Sequence, residues 1–111
     1  MKLESQRLGD MIVIRVLDDR IDAAGAIQFK ERMRELIADP SDRVVLDMSN
    51  VGFLDSSGLG AVVSVMKALG PMRRLELSGL TPTVEKVFRL TRMDSVFIIH
   101  KSLPEERRNA G

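Results

Sequence analysis

The chain opens with two strand-like segments, LESQRL (3–8) and MIVIRVL (11–17). Gly9 and Asp10 separate them, and a two-residue connection that begins with glycine favours a tight hairpin turn. The second segment is apolar at nearly every position, which is typical of a strand that is covered on both faces. We therefore predict an N-terminal hairpin whose second strand lies centrally in a sheet.

Three segments with a helical spacing of apolar residues follow the hairpin. Asp22 is the predicted N-cap of the first helix, and Asp39-Pro40 ends that helix. The second helix follows the sequence DSSG and ends at Gly70-Pro71, and the third begins at Thr81-Pro82, which read as N-cap and first helical residue. The segment SLPEERR (102–108) favours a short further helix that begins near Pro104.

Strand-like runs precede or follow each of these helices: RVVLDM (43–48), RLELSG (74–79) and VFII (96–99). The predicted order is therefore β-β-α-β-α-β-α-β. Strands that alternate with helices indicate a mainly parallel sheet with right-handed crossovers, and the hairpin adds one antiparallel pairing. At 111 residues and 12.4 kDa, the chain is predicted to be one α/β domain over residues 1–111, with a mixed sheet and helices packed on it.

Composition removes several classes of function. The formal net charge is +1, with 17 basic and 16 acidic side chains, which argues against direct binding of nucleic acid. The chain has no cysteine, so disulfides and thiolate metal sites are excluded. The first ten residues lack the apolar core of a signal peptide, and no apolar run approaches membrane-spanning length. We expect a cytoplasmic protein that is not inserted in a membrane.

The DSSG junction, residues 55–58, raises the question of what two adjacent serines do between a strand and a helix. A serine nucleophile needs a neighbouring base, and the single histidine, His100, follows the last predicted strand. The junction also lacks the lysine of a phosphate-binding P-loop. A metal site would depend on Asp22, Asp47 and Asp55 alone, so we expect neither catalysis nor a bound metal.

The simplest interpretation of the junction is a helix cap, because Asp and Ser are favoured N-cap residues. A cap needs only one such residue, however, and Gly58 lowers helix propensity by about 1 kcal/mol relative to alanine. Gly58 and Gly60 would leave the start of the helix without side chains at two positions, so that the backbone of another protein could approach. A surplus hydroxyl would then lie at a helix N-terminus, where free N–H groups favour an anion.

The segment VVLDMSNVGFLDSSGLGAVVSV (44–65) closely resembles the signature of the STAS domain in bacterial anti-sigma factor antagonists. RIDAAGAIQFKERM (20–33) and LSGLTPTVEKVFRLTRMDSVFII (77–99) resemble the first helix and the second half of that domain. The resemblance implies a STAS domain that is not an enzyme and that acts in a partner switch. In such a switch, the unphosphorylated antagonist binds an anti-sigma factor that is also a GHKL-type serine kinase, and so frees the sigma factor. Phosphorylation disrupts this binding, and a PP2C-type phosphatase reverses it.

Carried onto this chain, the resemblance makes Ser56 the phosphoacceptor. It implies no cofactor for the chain itself, because ATP is bound by the partner kinase. We expect Asp55 to cap the helix and orient the Ser56 hydroxyl. Ser57 would be a structural hydroxyl of the first turn. The remaining residues expected to bind or support the partner are Asp22, Gly58 and Leu59. A plain N-cap is an equal interpretation of Asp22.

Two features depart from the family pattern. The run Asp18-Asp19-Arg20 replaces a glycine often found before the first helix, and the C-terminal end is short for the final helix. The second feature bears on dimer or partner contacts, and a homodimer is one assembly to test. Two other functions stay open: a constitutive STAS scaffold in a stress-sensing or lipid-transport ATPase complex, and a small-ligand sensor.

Overall fold

The predicted hairpin is present in the computed structural model, which describes residues 1–104. β1 (Leu3–Leu8) and β2 (Met11–Val16) are antiparallel, with Leu8 opposite Met11 next to the turn. Gly9 has a φ of 64°, a left-handed conformation that a residue without a Cβ adopts at little cost. The Gly9-Asp10 turn therefore sets the register of the two strands.

Three further strands extend the sheet from β2: β4 (Arg43–Asp47), β6 (Arg74–Ser78) and β7 (Ile98–His100). The order across the sheet is β1-β2-β4-β6-β7, and every pairing beyond the hairpin is parallel. The predicted mixed, mainly parallel sheet is confirmed. β7 begins two residues later than predicted, because a 3-10 turn at Met93–Ser95 precedes it and Phe97 packs into the core.

Three helices connect the parallel strands: α1 (Ala26–Ile37), α2 (Ser56–Leu69) and α3 (Pro82–Leu90). Their buried residues form one cluster with alternate residues of the strands, so all three helices pack on the same face of the sheet. Phe29 of α1 and Phe88 of α3 are fully buried in this cluster. Each helix starts beyond the carboxyl end of a parallel strand, so the three N-termini lie at one edge of the sheet.

The other face of the sheet has a small apolar cluster of Met11, Val13 and Val45, all buried. Residues of β2 are thus buried on both faces, as its apolar sequence predicts. The same face also holds Glu76, which is only 2% exposed. Arg43 donates two hydrogen bonds of 2.8 Å to this carboxylate, so the buried charge is paired.

Two short strands were not predicted. β3 (Arg20–Ile21) and β5 (Phe53–Leu54) pair in parallel as a separate two-stranded sheet. Along the chain, β3 precedes α1 and β5 precedes α2. A two-residue strand has too few positions to show an alternating pattern, so the sequence gives no signal for it.

The prediction that Asp22 is the N-cap of α1 is wrong. The helix begins at Ala26, and Gly25 occupies the cap position without a side-chain cap. Asp22 instead closes the preceding turn, because its Oδ1 accepts a hydrogen bond of 3.2 Å from the Gly25 N–H.

Thr81 does occupy the N-cap position of α3, but its hydroxyl donates to the carbonyl of Val51 at 2.8 Å. The helix predicted to begin near Pro104 falls outside the described residues.

Candidate functional site

The start of α2 is organised by the carboxylate of Asp55. This residue is the N-cap, and its Oδ1 accepts a hydrogen bond of 2.8 Å from the Gly58 N–H. One of the first N–H groups of the helix, which have no acceptor within the helix, is thereby satisfied. The predicted capping role of Asp55 is confirmed. Ser56 is consequently the first helical residue and Ser57 the second.

The second oxygen of Asp55 reaches a different part of the chain. Oδ2 accepts a hydrogen bond of 3.1 Å from the Ala23 N–H, in the turn that precedes α1. Asp22 lies in the same turn, so the structure brings Asp22 and Asp55 to neighbouring positions. The Asp22 carboxylate also lies 3.4 Å from the Arg20 guanidinium. The starts of α1 and α2 therefore form one continuous surface beside Ser56.

Gly58 explains how closely these two helix starts approach. A Cβ at this position would lie 2.1 Å from the carbonyl oxygen of Ile21, which only a residue without a side chain avoids. The backbone that approaches Gly58 belongs to its own chain, so the prediction that Gly58 admits a partner is wrong. Gly60 is exposed, with no atom within 4 Å of an added Cβ, and leaves the surface open two residues later.

Both serines of the junction are exposed. Ser57 was expected to be a structural hydroxyl of the first turn. Among residues 1–104, no hydrogen bond of the Ser57 hydroxyl is present. Exposure alone does not distinguish the two serines, so the choice of Ser56 depends on its place after the cap and on the family resemblance. Leu59 is half-buried against the core and supports the first turn from beneath.

The single histidine of the chain contacts a residue outside the junction. His100 lies on β7, where its Nε2 is 2.7 Å from Glu76 Oε1, so that contact engages the ring away from the serines. In the part of the chain that the structure describes, no three His, Asp or Glu side chains are grouped to hold a metal ion. No helix there is long and apolar enough to cross a membrane.

The loop that leads into β5 is shaped by Asp47, at the end of β4. Burial raises the pKa of this carboxyl, but hydrogen bonds from Ser49 and Arg15 outweigh burial and leave the pKa below its usual value. The backbone N–H of Ser49 donates to Oδ1 at 2.9 Å, and Arg15 Nε donates to Oδ2 at 3.0 Å. An ionised Asp47 thus holds the first turn of the loop that leads to Phe53 and Ser56.

Phe53 and Arg20 form a feature of this surface that the sequence analysis missed. They are opposite each other in the β3–β5 pair, and the Arg20 guanidinium lies 5.2 Å from the centre of the Phe53 ring. Phe53 is 43% exposed. The position of this phenylalanine just before DSSG is visible in the sequence, but its outward orientation depends on the two-residue pairing.

The STAS domain family model matches residues 2–106. The Bordetella bronchiseptica protein named "Putative anti-sigma factor antagonist BtrV" is 30% identical over 103 residues, which are 92% of this chain and 88% of that protein. An anti-sigma factor antagonist from Mycobacterium paratuberculosis has a similar structure, with a TM-score of 0.83 and 24% identity over 92% of this chain and 86% of that one.

Similar structures also include the Bacillus protein SpoIIAA in two forms. The unphosphorylated anti-sigma factor antagonist has a TM-score of 0.62 at 21% identity, over 95% of this chain and 92% of that one. The phosphorylated form has a TM-score of 0.61 at 20% identity, over 88% and 90%. These likenesses establish the fold that the chain shares with those proteins.

Proposed function

Because the chain belongs to the STAS domain family, we propose that it is an anti-sigma factor antagonist whose partner binding is controlled by phosphorylation of Ser56. In the unphosphorylated state it binds an anti-sigma factor that is also a serine kinase, and the sigma factor is released. Phosphate on Ser56 ends this binding, and a PP2C-type phosphatase restores it. The partner contributes the ATP site, of the GHKL type, and this chain contributes the acceptor hydroxyl.

The observation that carries the proposal is the position of Ser56 directly after a cap that is already complete. Asp55 accepts hydrogen bonds from Gly58 and Ala23, so the helix start is held without any contribution from Ser56. The Ser56 side chain is exposed and is therefore accessible to another protein's active site. A residue that the fold does not need can be modified without unfolding the domain.

The same position makes a phosphate disruptive in a complex. A phosphoserine carries a charge of about −1.5 to −2 at neutral pH. Free N–H groups at the start of α2 favour that charge, while the adjacent Asp55 carboxylate opposes it. In the free protein, water screens the repulsion. In a closed interface the phosphate must lose this water, so its desolvation weakens binding.

The proposed role does not require this chain to catalyse anything. A base beside Ser56 would be needed for nucleophilic chemistry, and the histidine that could serve is engaged with Glu76 on β7. Phosphoryl transfer then depends on groups of the kinase that hold ATP and position the Ser56 hydroxyl.

A reaction with the cognate kinase and ATP tests the proposal, followed by mass-spectrometric site mapping of the wild-type chain, Ser56→Ala and Ser57→Ala. We expect phosphate on Ser56 in the wild-type chain and in Ser57→Ala, and none in Ser56→Ala. Ser56→Ala should still bind the kinase, whereas Ser56→Asp should bind poorly. Phosphate retained in Ser56→Ala and absent from Ser57→Ala would reverse the assignment. Equal binding by the phosphorylated and unphosphorylated chains would instead support a constitutive scaffold.

A further inference from the structure

Phe53 differs from the other aromatic residues of the chain. The sequence has four phenylalanines and neither tyrosine nor tryptophan. Phe29 and Phe88 are 0% exposed and Phe97 is 6% exposed, whereas Phe53 is 43% exposed. Three of the four rings therefore build the core, and the fourth lies on the surface. An aromatic ring that the core does not use is a frequent anchor of protein interfaces.

The ring of Phe53 is held in place before any partner binds. Its strand is paired with β3, opposite Arg20, and the Arg20 guanidinium covers the ring at 5.2 Å from the centre. The carboxylate of Asp22, 3.4 Å from the Arg20 guanidinium, also restrains that group. A pre-ordered side chain loses little conformational entropy on binding, so its contact area contributes more fully to affinity.

Phe53 is also close enough to Ser56 to share one interface with it. They are three positions apart in the sequence, so their Cα atoms are at most about 11 Å apart. A specific interface covers about 800 Å² on each partner, a patch with a radius of about 16 Å. A protein whose active site is centred on the Ser56 hydroxyl therefore reaches Phe53 and Arg20 within an interface of ordinary size.

We propose that Phe53 and Arg20 are the anchor by which the kinase that modifies Ser56 recognises this chain. This inference rests on the proposed function and adds the residues that confer affinity. The matching kinase surface has an apolar pocket for the ring and a carboxylate for the guanidinium, because Arg20 donors that Asp22 does not use still face solvent. Arg20 is suited to this contact, with a side chain that is 60% exposed.

The test measures the affinity of the unphosphorylated full chain for the kinase, together with the steady-state kinetics of Ser56 phosphorylation. Phe53→Ala should raise Kd and KM by about 30-fold or more, the usual effect of losing an aromatic hot spot. Its kcat and its thermal unfolding midpoint should stay those of the wild type. Phe53→Leu and Arg20→Ala should each show a smaller loss of affinity. The matched control is Met72→Ala, which removes a side chain of a residue that is 86% exposed, in the loop before β6.

The outcomes separate this inference from the proposed function. Wild-type affinity and KM in Phe53→Ala, with weak binding by Ser56→Asp, would overturn the anchor and leave the phosphorylation switch in place. Wild-type binding by Ser56→Asp, with weak binding by Phe53→Ala, would support the anchor as a binding site and overturn the switch. An equal loss of affinity in Met72→Ala and Phe53→Ala would also overturn the anchor, because the effect would not be specific to this surface.

Discussion

Asp55 and Ala23, 32 residues apart in the chain, are joined by a hydrogen bond of 3.1 Å from the Ala23 N–H to the Asp55 carboxylate. Since the other oxygen of this carboxylate caps α2, one side chain fastens two helix starts to each other. The relationship gives Asp55 a second role beside the capping that its sequence position predicts. It also means that the turn before α1 belongs to the surface around Ser56.

Asp55→Ala should lower the free energy of unfolding by about 1.5–3 kcal/mol. Loss of the cap accounts for about 0.5–2 kcal/mol, and the bond to Ala23 adds about 1 kcal/mol. Asp55→Asn keeps an acceptor oxygen and should lose less. Urea unfolding measures the change, with Asp42→Ala as the control, because Asp42 is exposed. Equal stability of Asp55→Ala and the control would contradict the role of Asp55 as a double acceptor.

The two glycines of the first turns of α2 should respond to alanine in opposite directions. At Gly58 the new Cβ would lie 2.1 Å from the Ile21 carbonyl oxygen, so Gly58→Ala should destabilise the chain by about 1–3 kcal/mol or more. At Gly60 the Cβ meets no atom within 4 Å, so Gly60→Ala should stabilise the helix by up to about 1 kcal/mol. Thermal unfolding of both variants measures these changes in stability. A similar change in stability at the two positions would show that the Ile21 carbonyl does not determine the effect of Gly58→Ala.

The longer elements of this fold could be predicted because their signals are local. The two strand-like runs within residues 3–17, the apolar strand before DSSG and the helical spacing after it each specify one element, and their order implies a mixed sheet. Asp55 as N-cap is equally local, since the cap and the amide it binds are three residues apart.

The remaining features could not be predicted because they depend on contacts between distant segments. Asp22 has the residue type and position of an N-cap, but the chain first makes a turn that Asp22 closes, and the helix starts at Ala26. Gly58 was assigned to a partner because nothing in the sequence shows that Ile21 lies against it. The pairing of β3 with β5, which turns Phe53 outward, joins two-residue strands that are far apart in sequence.

Glu76 makes part of the stability of the chain dependent on pH. The hydrogen bonds from Arg43, opposed by burial and aided by His100, lower the pKa of this carboxyl from 4.5 to about 2. A carboxyl whose pKa is lower in the folded state stabilises the fold above its unfolded pKa. This contribution, about 3 kcal/mol, should therefore be lost as the pH falls from about 4.5 toward 2.

Glu76→Gln tests this dependence. At pH 7 the variant leaves the partly buried Arg43 without its counter-charge, and the free energy of unfolding should fall by about 3–5 kcal/mol. The difference from the wild type should shrink as the pH is lowered, because the wild-type carboxyl then becomes neutral as well. Urea unfolding between pH 7 and pH 3 measures both effects. Glu85→Gln is the control, since Glu85 pairs with Arg89 on an exposed helix face. A difference that stays constant over this pH range would exclude ionisation of Glu76 as its cause.

Phosphorylation of Ser56 should separate stability from binding. The phosphate lies at the N-terminus of α2, where the helix favours its charge by about 0.3–1 kcal/mol and Asp55 opposes it. Against a domain stability of about 5–15 kcal/mol, the unfolding midpoint of the phosphorylated chain should change little. In the complex, a cost of about 4 kcal/mol for burying the charge would weaken binding about a thousandfold. Calorimetric unfolding and titration with the kinase, on the same phosphorylated sample, measure the two effects.

Ser57→Asp is the matched control, because it places a charge one residue later on the same exposed turn. We expect it to weaken binding less than Ser56→Asp. Collapse of the unfolding midpoint with unchanged affinity would refute the assignment of Ser56 as a switch in the interface.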